Sequence, residues 1–151
     1  MERISIYDFA GGERAFAALA AAHHARCLAD PVLNHPFSHD LRPDHVARLA
    51  SYWAEVFGGP ARYSAEFGGQ SRMLGIHCGN EVESDLGRRF VDCFVLAADD
   101  AGLPNDARLR DALRAYMEWA VADVLGHDPA VPAGLAMPRW SWDGLEAAGT
   151  V

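Results

Sequence analysis

The chain has 151 residues, half of them hydrophobic, with 13 Lys plus Arg against 21 Asp plus Glu and a formal net charge of −8. That length suits one domain with a good core. An acidic chain without a basic cluster argues against nucleic acid and against anionic membrane surfaces, and no apolar run approaches the ~20 residues needed to span a bilayer.

The start, Met1-Glu2-Arg3-Ile4-Ser5, is too polar for a signal peptide, so a cytoplasmic protein is expected. Cys27, Cys78 and Cys93 are odd in number and lack metal-type spacing. Reduced, buried thiols are expected rather than a disulfide framework.

No stretch alternates with period two, so strands are not supported, whereas helical periodicity recurs. The first helix is predicted from Glu13 to Ala29, after Gly11-Gly12 and before Asp30-Pro31. Phe16, Ala20, His23 and Cys27 form its stripe, with Leu19 and His24 alongside. Two prolines in Pro31-Val32-Leu33-Asn34-His35-Pro36-Phe37 allow only a turn next.

The second helix is predicted from Pro43, which suits a first helical turn, to Phe57. Val46, Leu49, Ala50, Trp53, Val56 and Phe57 line one wide apolar face, and His45 borders it one turn before Leu49. Gly58-Gly59-Pro60 ends it. A glycine-rich loop leads to a short helical turn near Gln70–His77.

The third helix is predicted over Glu83–Ala101, with Leu86, Phe90, Cys93, Phe94, Ala97 and Ala101 inward, and stops at Gly102-Leu103-Pro104. The fourth covers Asp106–Leu125, with Leu109, Leu113, Tyr116, Met117, Ala120, Val121 and Val124 inward and Gly126 as its stop. The tail carries Trp140 and Trp142. Indoles are costly to leave wet, so they are expected to pack back onto the body or onto a partner. The expected organisation is one domain over residues 1–126 and a tail, 127–151, lying on it.

His77 behind the Gly-Gly-Pro turn is the residue with most to say about function. A lone neutral imidazole beneath an apolar pocket suits the axial position on a haem iron and leaves the opposite face free for a small gas. A second reading gathers His23, His24, His35, His39 and His45 into a non-haem metal site in a helical bundle, but the Glu-x-x-His pairs of such sites are missing.

The chain resembles the truncated haemoglobins, and among them the second group. The resemblance rests on Tyr7-Asp8 with Gly11-Gly12, on Asp30-Pro31-Val32-Leu33, and on Gly58-Gly59-Pro60 with Tyr63-Ser64. Arg72 and His77 follow at the family spacing, and Ala101-Gly102-Leu103-Pro104 closes the third helix. It covers roughly Ile6 to Asp123. It implies an all-α fold, a two-over-two helical sandwich around haem, with His77 as proximal ligand. The pocket residues it implies are Phe37, His45, Leu49, Trp53 and Phe90, with His24 and His45 as distal candidates or a sixth iron ligand. It implies Tyr63 and Arg72, more than Arg62, near the haem propionates.

The chain departs from the family where Tyr usually stands at His24 and often at Phe37, Trp at Phe90, and a small residue at His45. Distal donors are thus rebuilt from imidazoles. Without a Cys-x-x-Cys-His, haem b is expected to be held noncovalently. The function implied is reversible binding of dioxygen, nitric oxide or carbon monoxide, as in oxygen transport. Nitric oxide dioxygenase or peroxidase-like chemistry with an unidentified reductase is also compatible, so enzyme or carrier stays open, as does monomer or homodimer.

Overall fold

The computed structural model describes residues 4–33, 44–67, 85–126 and 137–146, with backbone only at 124–126. Among them are helices α1 (Ile6–Ala10), α2 (Glu13–Ala29), α3 (His45–Val56), α4 (Arg62–Glu66), α5 (Leu86–Asp100) and α6 (Ala107–Gly126). Strands β1 (Trp140–Ser141) and β2 (Gly144–Leu145) pair antiparallel as a small hairpin. No helix among the described residues is long and apolar enough to cross a membrane.

α2 has the predicted limits because both ends are enforced. Gly11 and Gly12 turn the chain at positive φ before it. After it, the Asp30 carboxylate accepts hydrogen bonds from the Val32 and Leu33 N–H groups at 2.8 and 3.2 Å, which satisfies a turn in place of further helix. α3 and α5 start and stop, and α6 starts, within a few residues of prediction. Pro43 and Glu83 lie outside the described residues. α1 and α4 were not expected; each is five residues long, too short to display a period. The hairpin likewise corrects the expectation of no strands, since two-residue strands cannot alternate.

α2 packs on α3 and α5, and α5 packs on α6. Their shared core holds Phe16, Leu19, Val56, Phe57, Phe94, Leu109, Leu113 and Tyr116. Burial of such side chains contributes ~1.5–3 kcal/mol each. The tail packs on this body. Trp140 is buried edge-on to Tyr116, with ring centroids 5.7 Å apart. Trp142 meets Phe9 at 5.2 Å and donates its indole N–H to the Ile4 carbonyl at 2.9 Å.

The Gly58-Gly59 pair has a steric cause. Gly58 adopts φ +104°, a region that disfavours side chains. At Gly59 a Cβ would fall 2.7 Å from the Ala54 carbonyl oxygen and 2.8 Å from the Tyr7 ring. The end of α3 is thus pressed against α1, whose Tyr7 N–H donates to the Phe57 carbonyl at 3.0 Å.

Candidate functional site

His23 and His24 are adjacent on α2 and so point about 100° apart. His23 turns toward α5 and is fully buried. Its Nε2–H donates to the Phe90 carbonyl at 3.2 Å, which ties α2 to α5. Its ring stands edge-on to Phe90 and Phe94, at 4.5 and 5.6 Å, and tilted against Trp53 at 5.4 Å. Burial is the main cause that lowers its pKa to about 4; the Phe90 carbonyl opposes this weakly, and a charge on His24 would add to it. His23 is therefore neutral at pH 7. The Cys27 sulfur lies 3.6 Å from its Nε2.

His24 turns the other way, toward α3. Its ring centroid lies 5.3 Å from that of His45, with the planes at 55°. His24 Nδ1 and His45 Nε2 are both buried atoms. Two distal candidates chosen from separate helices are thus side by side.

α3, which carries His45, and α5 also present half-buried apolar side chains. Val46, Leu49, Ala50 and Phe90 are only partly buried, although each packs on the core. Trp53, two turns beyond His45 on the same stripe, is 2% exposed. Half-buried apolar side chains on the helices that carry the two imidazoles suit a flat, largely apolar group such as haem.

α4 follows the Gly-Gly-Pro turn. Tyr63 is buried edge-on to Tyr52 at 5.0 Å and tilted against Phe67 at 5.7 Å. Arg62 is exposed and pairs with Glu66 at 3.2 Å and Glu13 at 3.7 Å.

The residue that sequence reasoning missed is Glu55, 2% exposed. Its carboxylate accepts from the Ser64 N–H at 2.9 Å and from the Ser64 hydroxyl at 2.7 Å. Ser64 lies in the first turn of α4, where an N–H is left over and an anion is favoured. Glu55 therefore clamps the start of α4 onto the end of α3. A glutamate among Tyr52, Trp53, Ala54 and Val56 was the signal available.

Phe37, Arg72 and His77 lie outside the described residues, as do Cys78, His35 and His39. Among the described residues no group of three or more His, Cys, Asp or Glu side chains is arranged to hold a metal ion. Of the histidines in the non-haem reading, His35 and His39 lie outside the described residues, and His23 is committed to the Phe90 carbonyl.

A profile of the bacterial-like globins matches residues 5–125. The chain belongs to this family. Among solved structures, it is similar to a thermostable haemoglobin from the actinobacterium Thermobifida fusca, at 26% identity over 87% of this chain and 100% of that one, TM-score 0.68. A haemoglobin from the phototroph Chloroflexus aurantiacus is 27% identical over 81% of this chain and 98% of that one, TM-score 0.68. The group II truncated haemoglobin of Bacillus anthracis superposes with TM-score 0.71 over 89% of this chain and 98% of that one, and at 17% identity speaks to fold alone. No curated protein sequence gives a significant match. This globin therefore has the truncated, all-α fold that its sequence resembled. Family membership implies a haem cofactor and a diatomic gas as ligand.

Proposed function

We propose that this globin binds haem b noncovalently through His77 and holds a diatomic gas reversibly on the opposite side, where His24 and His45 face the ligand. The observation that carries the reading is the imidazole pair: two histidines from facing helices, 5.3 Å apart, within the part of the chain that matches the globins. When bound, haem supplies the iron to which the gas attaches.

The chain's own residues do the rest. A neutral imidazole offers one N–H and one lone pair, so His24 or His45 can donate to the gas, and a second imidazole alongside can hold the first in a fixed orientation. Val46, Leu49, Ala50 and Phe90 keep water from the donor, which strengthens the hydrogen bond. Phe37 adds an aromatic wall, and Trp53 closes the inner end. Arg72, with Tyr63, serves the propionates. Either histidine, swung inward, can also occupy the sixth position and lower apparent gas affinity by the fraction of blocked sites.

Oxygen transport or storage is the simplest role. Nitric oxide oxidation and peroxide reduction use the same donors to deliver a proton, and need an electron-donating partner. Cys27 and Cys93 are free and buried, which accords with a reducing, cytoplasmic setting. Residues 1–126 form the haem domain in this reading.

The ferric and ferrous visible spectra of the purified protein test it. A Soret band that shifts with carbon monoxide is expected, and is expected to vanish or weaken in His77→Ala. His45→Leu and His24→Leu are expected to speed gas dissociation roughly tenfold, the loss of ~1.4 kcal/mol, or to turn a six-coordinate ferric spectrum five-coordinate. A colourless protein that takes up no added hemin refutes the proposal.

A further inference from the structure

The tail tryptophans lie outside the pocket residues named above, and their placement forms a pattern. Trp53 lies on the pocket stripe of α3, one turn past Leu49. Its ring is 4.6 Å from Phe94 of α5, and Phe94 is 6.4 Å from Tyr116 of α6. Tyr116 lies 5.7 Å from Trp140 in the tail and 6.3 Å from Trp119. Trp119 and Trp140 are 5.8 Å from each other. Trp53 and Tyr116 are buried in the core, and Trp119 is half-buried on the side where the tail lies.

Indole and phenol are the most easily oxidised side-chain rings. Rings packed at van der Waals contact pass single electrons readily, and an intervening phenyl ring shortens the gap. The column therefore joins the pocket to the tail through groups that can lose an electron in turn. Trp142 is off this path: it packs on Phe9 and under Arg108 instead.

We propose that Trp53, Phe94, Tyr116 and the Trp119–Trp140 pair form an electron relay that supplies reducing equivalents from the tail surface to the haem pocket. The relay rests on the haem reading above, because haem is where the electrons are delivered. Its co-substrate class is a peroxide. Hydrogen peroxide takes two electrons and two protons and leaves as two waters. With no external donor, both electrons come from one indole, which takes an oxygen atom from water and releases two protons; the net change is indole plus peroxide giving oxidised indole plus water. Burial raises the pKa of the Tyr116 phenol, and the hydrogen bond from the Tyr52 side chain opposes this.

The test treats hemin-loaded protein with equimolar hydrogen peroxide and maps gained oxygen by peptide mass spectrometry. Oxidation is expected at Trp119 and Trp140, and is expected to be absent from them in the haem-free chain. In Tyr116→Phe, which keeps the ring but not the oxidisable group, oxidation of these two indoles is expected to fall to the haem-free level and to build up on Trp53. In the Trp119→Phe, Trp140→Phe double variant it is expected to build up on Tyr116 and Trp53. Trp142→Phe, which disturbs the tail off the path, is expected to leave the pattern unchanged. Carbon monoxide difference spectra report the pocket separately. If those spectra are normal and oxidation at Trp119 and Trp140 is the same with Tyr116→Phe, or the same without haem, the relay is overturned and the gas-binding reading stands. If the wild-type chain takes up no haem, both fall.

Discussion

His23 should make this globin lose stability on mild acidification. In the unfolded chain an imidazole takes its proton near pH 6.5, whereas in the fold His23 resists protonation down to about 4, chiefly because it is buried. Between those values the unfolded state holds up to one proton more, so unfolding becomes easier as pH falls and the penalty is absent above the unfolded pKa. A gap of 2.5 units corresponds to about 3 kcal/mol when fully expressed, and about 2 kcal/mol of it should appear between pH 7 and pH 5. Urea unfolding followed by far-ultraviolet circular dichroism measures this directly. The comparison is His23→Phe, which keeps an aromatic ring against Phe90, Phe94 and Trp53 but cannot titrate. The difference between the two proteins isolates the imidazole, because Asp30, Asp85, Asp100 and Asp106, all shifted downward by hydrogen bonds and arginine partners, titrate below this window. If wild type and variant lose the same stability from pH 7 to 5, His23 is not the buried neutral group described, and its hydrogen bond to α5 is not what holds it.

Glu55→Ala removes both acceptors from Ser64 and should cost about 1–3 kcal/mol in urea unfolding. Glu55→Gln keeps one acceptor oxygen and should cost less; equal losses would mean that the clamp does not depend on the carboxylate. Gly59→Ala drives a methyl group into the Ala54 carbonyl and the Tyr7 ring and should destabilise by about 1–3 kcal/mol, whereas Gly102→Ala, where a Cβ meets nothing, should cost only the strain of its positive φ, ~1–2 kcal/mol. Trp142→Ala removes the Phe9 contact, the Arg108 cation–π contact and the bond to Ile4, so trypsin should cut after Arg139 faster than in wild type; an unchanged rate would mean that the tail is held by Trp140 alone.

Long helices were legible because their punctuation and period agree. Gly-Gly before α2 and Asp-Pro after it leave no freedom in its limits, and α5 ends just before its glycine stop at Gly102. Elements of two to five residues have no period to read, which is why α1, α4 and the hairpin escaped. At the site, His24 and His45 emerged from a family resemblance, and periodicity alone does not pair them; their 5.3 Å approach depends on how α2 crosses α3. Glu55 escaped for the opposite reason. A lone glutamate in an apolar helix is ordinarily a solvated residue, and its partner, nine positions later, is reached only once the Gly-Gly-Pro turn folds α4 back.

Burial changes along α3 and α5 around the ring cluster at His23. On α3 the residues from Tyr52 to Phe57 are buried, while Val46, Leu49 and Ala50 are half-buried. On α5, Phe94 and Ala97 are fully buried but Phe90, one turn earlier, is not. On α2 His23 is turned into the core and His24 out of it, and Cys27, one turn past His23, is fully buried again. The apolar stripes continue across this level without a break, so hydrophobicity alone does not mark it. What marks it is that the last core layer, His23 with Trp53, Phe90 and Phe94, is a floor of rings sealed by one hydrogen bond. Beyond that floor Leu86 and Phe90 pack against Cys27, Leu33 and Cys93, while Val46, Leu49 and Ala50 of α3 are half-buried. A neutral His23 in the floor also places no permanent positive charge beside His24.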